Sequence, residues 1–109
     1  MSANLKELQA LAQELHEHGA MPDETMSRIN ARVRSRELRE RIARVHVMTG
    51  TQIKSMRERY GMSQSTLAYT LGMSVESVSK WERGEIQPSG PALRILNTID
   101  AKGPEVFML

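Results

Sequence analysis

Ser77-x-x-Lys80 has the spacing of a serine–lysine dyad, in which the amine takes the proton of the attacking hydroxyl. The pair falls on a short helix of a small chain with nothing around it that could form a pocket, and the match is read as coincidence. His16 and His18 stand at i, i+2 and do not face each other on a helix, and His46 stands alone, so no metal ligand set is assigned. The eight methionines are the start residue and flexible core filler rather than a soft-metal site. No acid–base pair or activated nucleophile remains, so neither an enzyme nor a cofactor is expected. A different chemistry fits "SVESVSKWERGE", Ser74 to Glu85. Glu76, Ser77 and Lys80 offer one acceptor, one hydroxyl and one cation on one side. Val78 and Trp81, with Val75 in part, are apolar on the other. That outward set suits hydrogen bonding to base edges or phosphates rather than bond making.

Composition narrows the setting. In 109 residues, 39% are apolar, 26% charged and only 4% aromatic, so one domain with an added arm and a core of Leu, Ile, Val and Met is expected. No cysteine means no disulfide framework, which fits a reducing compartment. There is no run long enough to span a bilayer, and Met1 to Gly19 is too polar for a signal peptide, so a cytoplasmic protein without membrane contact is expected. The charge is uneven. Residues 1–20 hold one lysine against three glutamates (net −2), and residues 21–47 hold seven arginines against four acids (net +3). Residues 48–109 hold seven basic and six acidic side chains (net +1). An acidic head, a basic middle and a near-neutral body suggest different tasks.

The elements that would position these residues are all helical. Leu5, Leu8, Leu11, Ala12 and Leu15 recur at helical spacing before the stop at Gly19. Pro22, Asp23 and Glu24 restart a helix whose apolar phase slips between Val33 and Leu38, which predicts a break or bend near Ser35. "RVHVM", Arg44 to Met48, alternates as an extended piece would. Thr49-x-x-Gln52 is a capping box with Met48 and Ile53 placed as its staple, and it predicts a helix from about Gly50 to Tyr60 with Ile53 and Met56 inward. Ser63 caps Gln64 to Leu71, with Leu67, Ala68 and Leu71 inward, and Gly72-Met73 turns the chain into the helix capped by Ser74. A fourth helix follows over "SGPALRILNTIDAKG", Ser89 to Gly103, with Pro91 in its first turn, Leu93, Leu96 and Ile99 buried, and Gly103-Pro104 as the stop. The expected boundaries are an N-terminal helical arm at 1–48 and a DNA-binding domain at 49–109.

Two eight-residue helices joined through Gly72 and flanked by helices form a helix-turn-helix, whose second helix puts its N-terminal turn into the major groove. The free N–H groups at the Ser63-Gln64 end would meet phosphate. "IKSMRERYGMSQSTLAYTLGMSVESVSKWERGEIQPSGPALRIL" resembles the helix-turn-helix of the xenobiotic-response-element type, the class of lambda repressor and Cro, over roughly residues 50–103. Its marks are Ser63-Gln64, Ala68, Gly72, Ser74-Val75 and Trp81-Glu82-Arg83-Gly84. "WERGEIQPSGPALRIL" and the arm's "LHEHGAM" are similar to the small HigA-type antitoxins, partners of RelE/HigB-like toxins.

The resemblance implies a lambda-repressor-like bundle acting as a dimer on double-stranded operator DNA. It implies that Gln64 reaches a phosphate and the start of the recognition helix, and that Val75, Glu76, Ser77 and Lys80 are base-facing. It also implies that Arg57 and Glu82 form an ion bridge between the first and third helices. Ser63, Ser65, Ser74 and Arg83 complete the expected DNA-facing set. With no Arg, Asn or Gln in the first two turns of the recognition helix, bidentate reading of guanine or adenine from there is absent. Modest affinity per domain follows, with two half-sites roughly 34 Å apart.

Trp81, in phase with Val78, is read as core rather than a base-stacking ring. The arginine run between Arg28 and Arg44 could be a DNA-binding arm, a solvated helix face with Glu37–Arg41 and Glu40–Arg44 pairs, or a partner surface. Leu5, Leu8, Leu11 and Leu15 of the acidic head are candidates for toxin binding, since such toxins are basic. The same leucines could pack on a dimer mate or on the Met26-Ile29-Val33 stripe. A stand-alone or phage-type regulator, or a protein–protein adaptor on this scaffold, are the other readings.

Overall fold

The computed structural model describes residues 2–109. Among them run six α-helices and no strand: α1 (Ser2–Glu17), α2 (Asp23–Arg41), α3 (Gly50–Arg59), α4 (Gln64–Leu71), α5 (Val75–Glu82) and α6 (Gly90–Lys102), followed by a 3₁₀ turn at Pro104–Phe107. No helix among the described residues is long and apolar enough to cross a membrane. The chain divides into two compact units, Met1–Arg44 and Val45–Leu109.

The first unit is an α1–α2 hairpin. Gly19, at φ 76°, ends α1 where a side chain would be strained, and Ala20 N–H returns to the Leu15 carbonyl at 2.8 Å. Pro22 is the residue before α2, with Asp23 and Glu24 in its first turn. Ala12, Met26 and Val33 are buried between the helices. One side of the hairpin is laced by polar rungs: Lys6 to Glu37, Gln9 to Asn30 at 2.9 Å, and His16 to Asp23. The hydrogen bond and charge of Lys6 hold the Glu37 carboxyl below its ordinary pKa. Of the break or bend expected near Ser35, the break does not occur, because α2 is continuous through it. The apolar phase slips there without ending the helix, since Leu38 and Ile42 are 40% and 59% exposed and no core enforces a register.

In the second unit, Val45–Met48 is neither helix nor strand. A side-chain clasp holds it instead: Asn97 of α6 accepts from His46 N–H and donates to the His46 carbonyl, both at 2.8 Å. The capping box is complete, with Gln52 N–H donating to Thr49 Oγ1 at 3.2 Å and Thr49 N–H to Gln52 Oε1 at 2.8 Å. Met48 and Ile53 are both buried beside it, as a staple requires. Ile53, Met56, Leu67, Val78, Leu96 and Ile99 form the centre of the core, with Trp81 against them. Leu71 and Leu93, expected inside, pack at its edge and are half-buried. Gly50 permits a close backbone approach, since a Cβ there would lie 2.6 Å from the Glu82 carbonyl oxygen. The start of α3 can therefore sit against the end of α5 only while that position lacks a side chain.

Candidate nucleic-acid interface

Each helix of the central pair starts on a serine. Ser63 accepts from Thr66 N–H at 2.9 Å and Ser74 from Ser77 N–H at 3.2 Å, so each satisfies one of the unbonded donors of a helix N-terminus. Between them Gly72 adopts φ 68°, ψ 34°, the left-handed conformation that turns the chain within two residues. Met73 N–H closes the turn on the Ala68 carbonyl at 2.9 Å.

The orientation of α5 is then fixed by a charged network joining three helices. Arg57 donates through Nε and Nη2 to the two carboxylate oxygens of Glu82 at 2.8 and 2.9 Å, a bidentate pair. Its Nη1 donates to the Met62 carbonyl at 3.1 Å, closing the α3–α4 turn. Gln64, the first residue of α4, donates to Glu82 Oε1 at 3.1 Å. The Arg57 and Glu82 side chains are 12% and 6% exposed, so the network works largely away from water. Burial pushes the Glu82 carboxyl up. The hydrogen bonds from Arg57 and Gln64, with Arg57's charge, outweigh this and hold its pKa below the ordinary value. Arg57 and Glu82 thus act as scaffold, and the Gln64 side chain is drawn to Glu82 at the end of α5 as well as standing at the α4 N-terminus.

With Val78 and Trp81 buried, the opposite face of α5 turns outward. Glu76 is exposed and Ser77 and Lys80 are half-exposed. Val75 belongs to this outer set, at 44% exposure. Two of the outer groups already have partners within the chain. The Ser77 hydroxyl lies 3.0 Å from the Ser74 hydroxyl, and Glu76 stands 3.4 Å from Arg83. Arg83 is folded back onto Glu85 at 2.6 Å and onto Ser79, and the bond to Glu85 raises its pKa further. Lys80 makes no ion pair among the described residues and is the cation of α5 left to meet an anion. Ser65 is exposed in the first turn of α4. Tyr69, two-thirds of the way along the outer face of that helix and 89% exposed, was not among the expected contacts. Its signal in the sequence is that it falls out of phase with Leu67, Ala68 and Leu71.

Two short capped helices, a left-handed glycine turn between them, and an ion bridge from the preceding helix to the end of the second define a helix-turn-helix domain. Residues 53–98, from α3 through most of α6, match the sequence profile of the helix-turn-helix family. The match suggests a DNA-binding transcription regulator, a class that is typically non-enzymatic. No curated protein matches the chain.

Proposed function

We propose that the chain is a cytoplasmic, sequence-specific transcriptional repressor that binds double-stranded operator DNA as a homodimer, and that it is the antitoxin of a type II toxin–antitoxin pair. The repressor reading rests on one observation above the rest. The Glu76–Lys80 face of α5 is turned out of the protomer by the burial of Val78 and Trp81 and by the Glu82 anchor. In this reading α5 lies in the major groove. Val75 meets thymine methyls, Glu76 and Ser77 face base edges, and Lys80 reaches a base or a phosphate. Ser63, Gln64 and Ser65 lie along one sugar–phosphate strand, Ser74 near the other, and Arg83 at the far end of α5.

The internal partners of Ser77, Glu76 and Arg83 favour modest affinity per domain, with two domains on a two-fold site supplying the rest. Bound to its own promoter, the dimer would exclude polymerase. If Lys80 reads a base, Lys80→Ala weakens binding to the upstream intergenic duplex by about 1–3 kcal/mol and relaxes choice at one position. An equal loss on all sequences in a mobility-shift series would instead assign Lys80 to phosphate. No loss on any sequence would remove α5 from the groove and favour a protein–protein adaptor.

The antitoxin reading is supported by the resemblance carried by "WERGEIQPSGPALRIL" and "LHEHGAM". A RelE/HigB-like toxin encoded alongside would be the partner, held through Leu5, Leu8, Leu11 and Leu15. Leu8, Leu11 and Leu15 remain 60%, 54% and 39% exposed after α1 has packed on α2, so the first unit does have apolar surface for a protein partner. Copurification with the neighbouring gene product, lost when residues 1–20 are removed, is the expected result. A truncated protein that still neutralises the toxin would contradict this assignment.

A further inference from the structure

We infer that the arginine stripe of α2 binds the sugar–phosphate backbone of duplex DNA, an inference that rests on the DNA-binding reading above and adds a second contact to it. Residues 21–47 hold seven arginines and no lysine. Arg32, Arg36 and Arg39 stand at i, i+4 and i+7, on one face of α2. With Arg44 they line an open cleft of about 850 Å³ where α2 ends. Glu40 is the one acid among the described residues of that lining, and its 3.5 Å pair with Arg36 leaves both side chains nearly half exposed. Arg32, Arg39 and Arg44 are exposed and have no ion-pair partner among the described residues. Arg34 and Arg41 are engaged elsewhere, since with Lys6 they hold the Glu37 carboxyl down.

The chemistry of the stripe selects the occupant. A guanidinium presents a planar fork of donors that matches phosphate, and it sheds water more readily than the ammonium of lysine. From Arg32 to Arg39 the helix axis advances about 10 Å at 1.5 Å per residue. That is the axial length of about three phosphates on one strand of a duplex, at 3.4 Å each. A row of exposed cations along an open cleft suits a charged rail laid beside it rather than a small anion enclosed by it. Leu5 and Leu8 border the cleft on its α1 side. A contact through the guanidiniums leaves their apolar surface to the protein partner proposed above.

The second unit has little free positive charge of its own for phosphate. Residues 48–109 carry a net charge of only +1, and on α5 Arg83 is held by Glu85 and Glu76. Phosphate contacts supply most of the sequence-independent affinity of a DNA-binding protein. Both units belong to one chain, so a duplex held by α5 meets the stripe at a high effective concentration.

Salt titrations of full-chain binding to the upstream intergenic duplex test this. R32Q/R39Q removes two exposed charges and puts a good helix former at each position, so helical circular dichroism should be unchanged. Its plot of log association constant against log salt should be shallower than the wild type's by about two, at about 0.9 per phosphate contact. Affinity at about 0.1 M salt should fall by about tenfold or more. The preference for operator over unrelated duplex should stay the same, because phosphate contacts carry no sequence information. R34Q/R41Q removes the same charge from the other flank of α2 and should leave the slope near the wild type's. Equal losses from the two pairs would reduce the effect to net charge and overturn the inference, as would wild-type affinity in R32Q/R39Q. If R32Q/R39Q binds DNA normally but no longer captures the neighbouring gene product, the stripe is a protein surface and the inference fails. Failure of the α5 reading looks different. Lys80→Ala without effect, beside a loss in R32Q/R39Q on every sequence, would keep the stripe as a DNA contact and remove α5 from the groove. A wild type that binds no duplex would end both.

Discussion

Replacing Glu82 by alanine is expected to cost the second unit about 3 kcal/mol, at the lower end of the 3–5 kcal/mol that follows removal of one partner of a buried ion pair. Glu82 neutralises Arg57, whose side chain is 12% exposed, and accepts from Gln64 as well. Alanine leaves a guanidinium and an amide with lost acceptors in a place water reaches poorly, and the slight access of water keeps the cost from the upper limit. A domain of about this size has only some 5 kcal/mol to lose. Trp81, the one tryptophan in the chain, lies in the core of this unit and reports on its unfolding alone. The expected result is a clear fall in the urea midpoint of Trp81 fluorescence at pH 7.

The same carboxylate sets a pH dependence. Its folded-state pKa is depressed, so the unfolded chain takes up the proton first. The bridge's contribution is complete above the unfolded value of about 4.3 and declines as pH falls through the lower folded value. Between pH 5 and pH 3 the wild type should therefore lose more stability than Glu82→Gln, which starts lower and has no carboxyl at that position to titrate. Equal slopes for the two proteins would show that the bridge is not holding the carboxylate.

Trp81→Ala is expected to be at least as damaging, at about 3–5 kcal/mol, because it removes the largest side chain of the core. The ring is 5% exposed and packs with Val78, Leu67 and the leucine and isoleucine of α6 in a single cluster. Amide hydrogen exchange in α4 to α6 should rise toward that of an unfolded segment, and operator binding should vanish with the fold. A ring that stacked on bases would behave otherwise. Its removal would spare the exchange protection, and duplex DNA would quench its emission in the wild type. Blue-shifted emission that DNA leaves unchanged is the expected result.

The parts of this fold that could be read in advance are local. Thr49-x-x-Gln52, Ser63 and Ser74 cap within three residues, and Gly72 turns within two, so their meaning is contained in adjacent positions. The inward side of α5 followed from Val78 and Trp81 three residues apart. Contacts that close over long separations were not legible. Asn97 clasping His46 and Arg59 reaching Asp100 at 2.7 Å join positions 51 and 41 residues apart, with nothing in either neighbourhood to announce them. Period alone also overstated α2, where the slip between Val33 and Leu38 is the mark of a solvated face rather than a break. The Arg57–Glu82 bridge came from resemblance, since nothing local in "SMRER" or "KWERG" joins them. The occupancy of Glu76 and Arg83 by each other depends on side-chain conformations that a linear pattern does not contain.

The account stands on α5 entering the groove of a duplex, and a salt titration of binding to the upstream intergenic DNA addresses this most directly. Phosphate contacts release counterions, so the logarithm of the association constant should fall linearly with the logarithm of salt concentration, with a slope of about −0.9 per contact. The expected result is a steep slope in the wild type that becomes shallower by about one in Lys80→Ala if that ammonium meets a phosphate, or a lost base preference at unchanged slope if it meets a base. Binding that ignores salt, or that Lys80→Ala leaves intact in both slope and preference, would contradict the account.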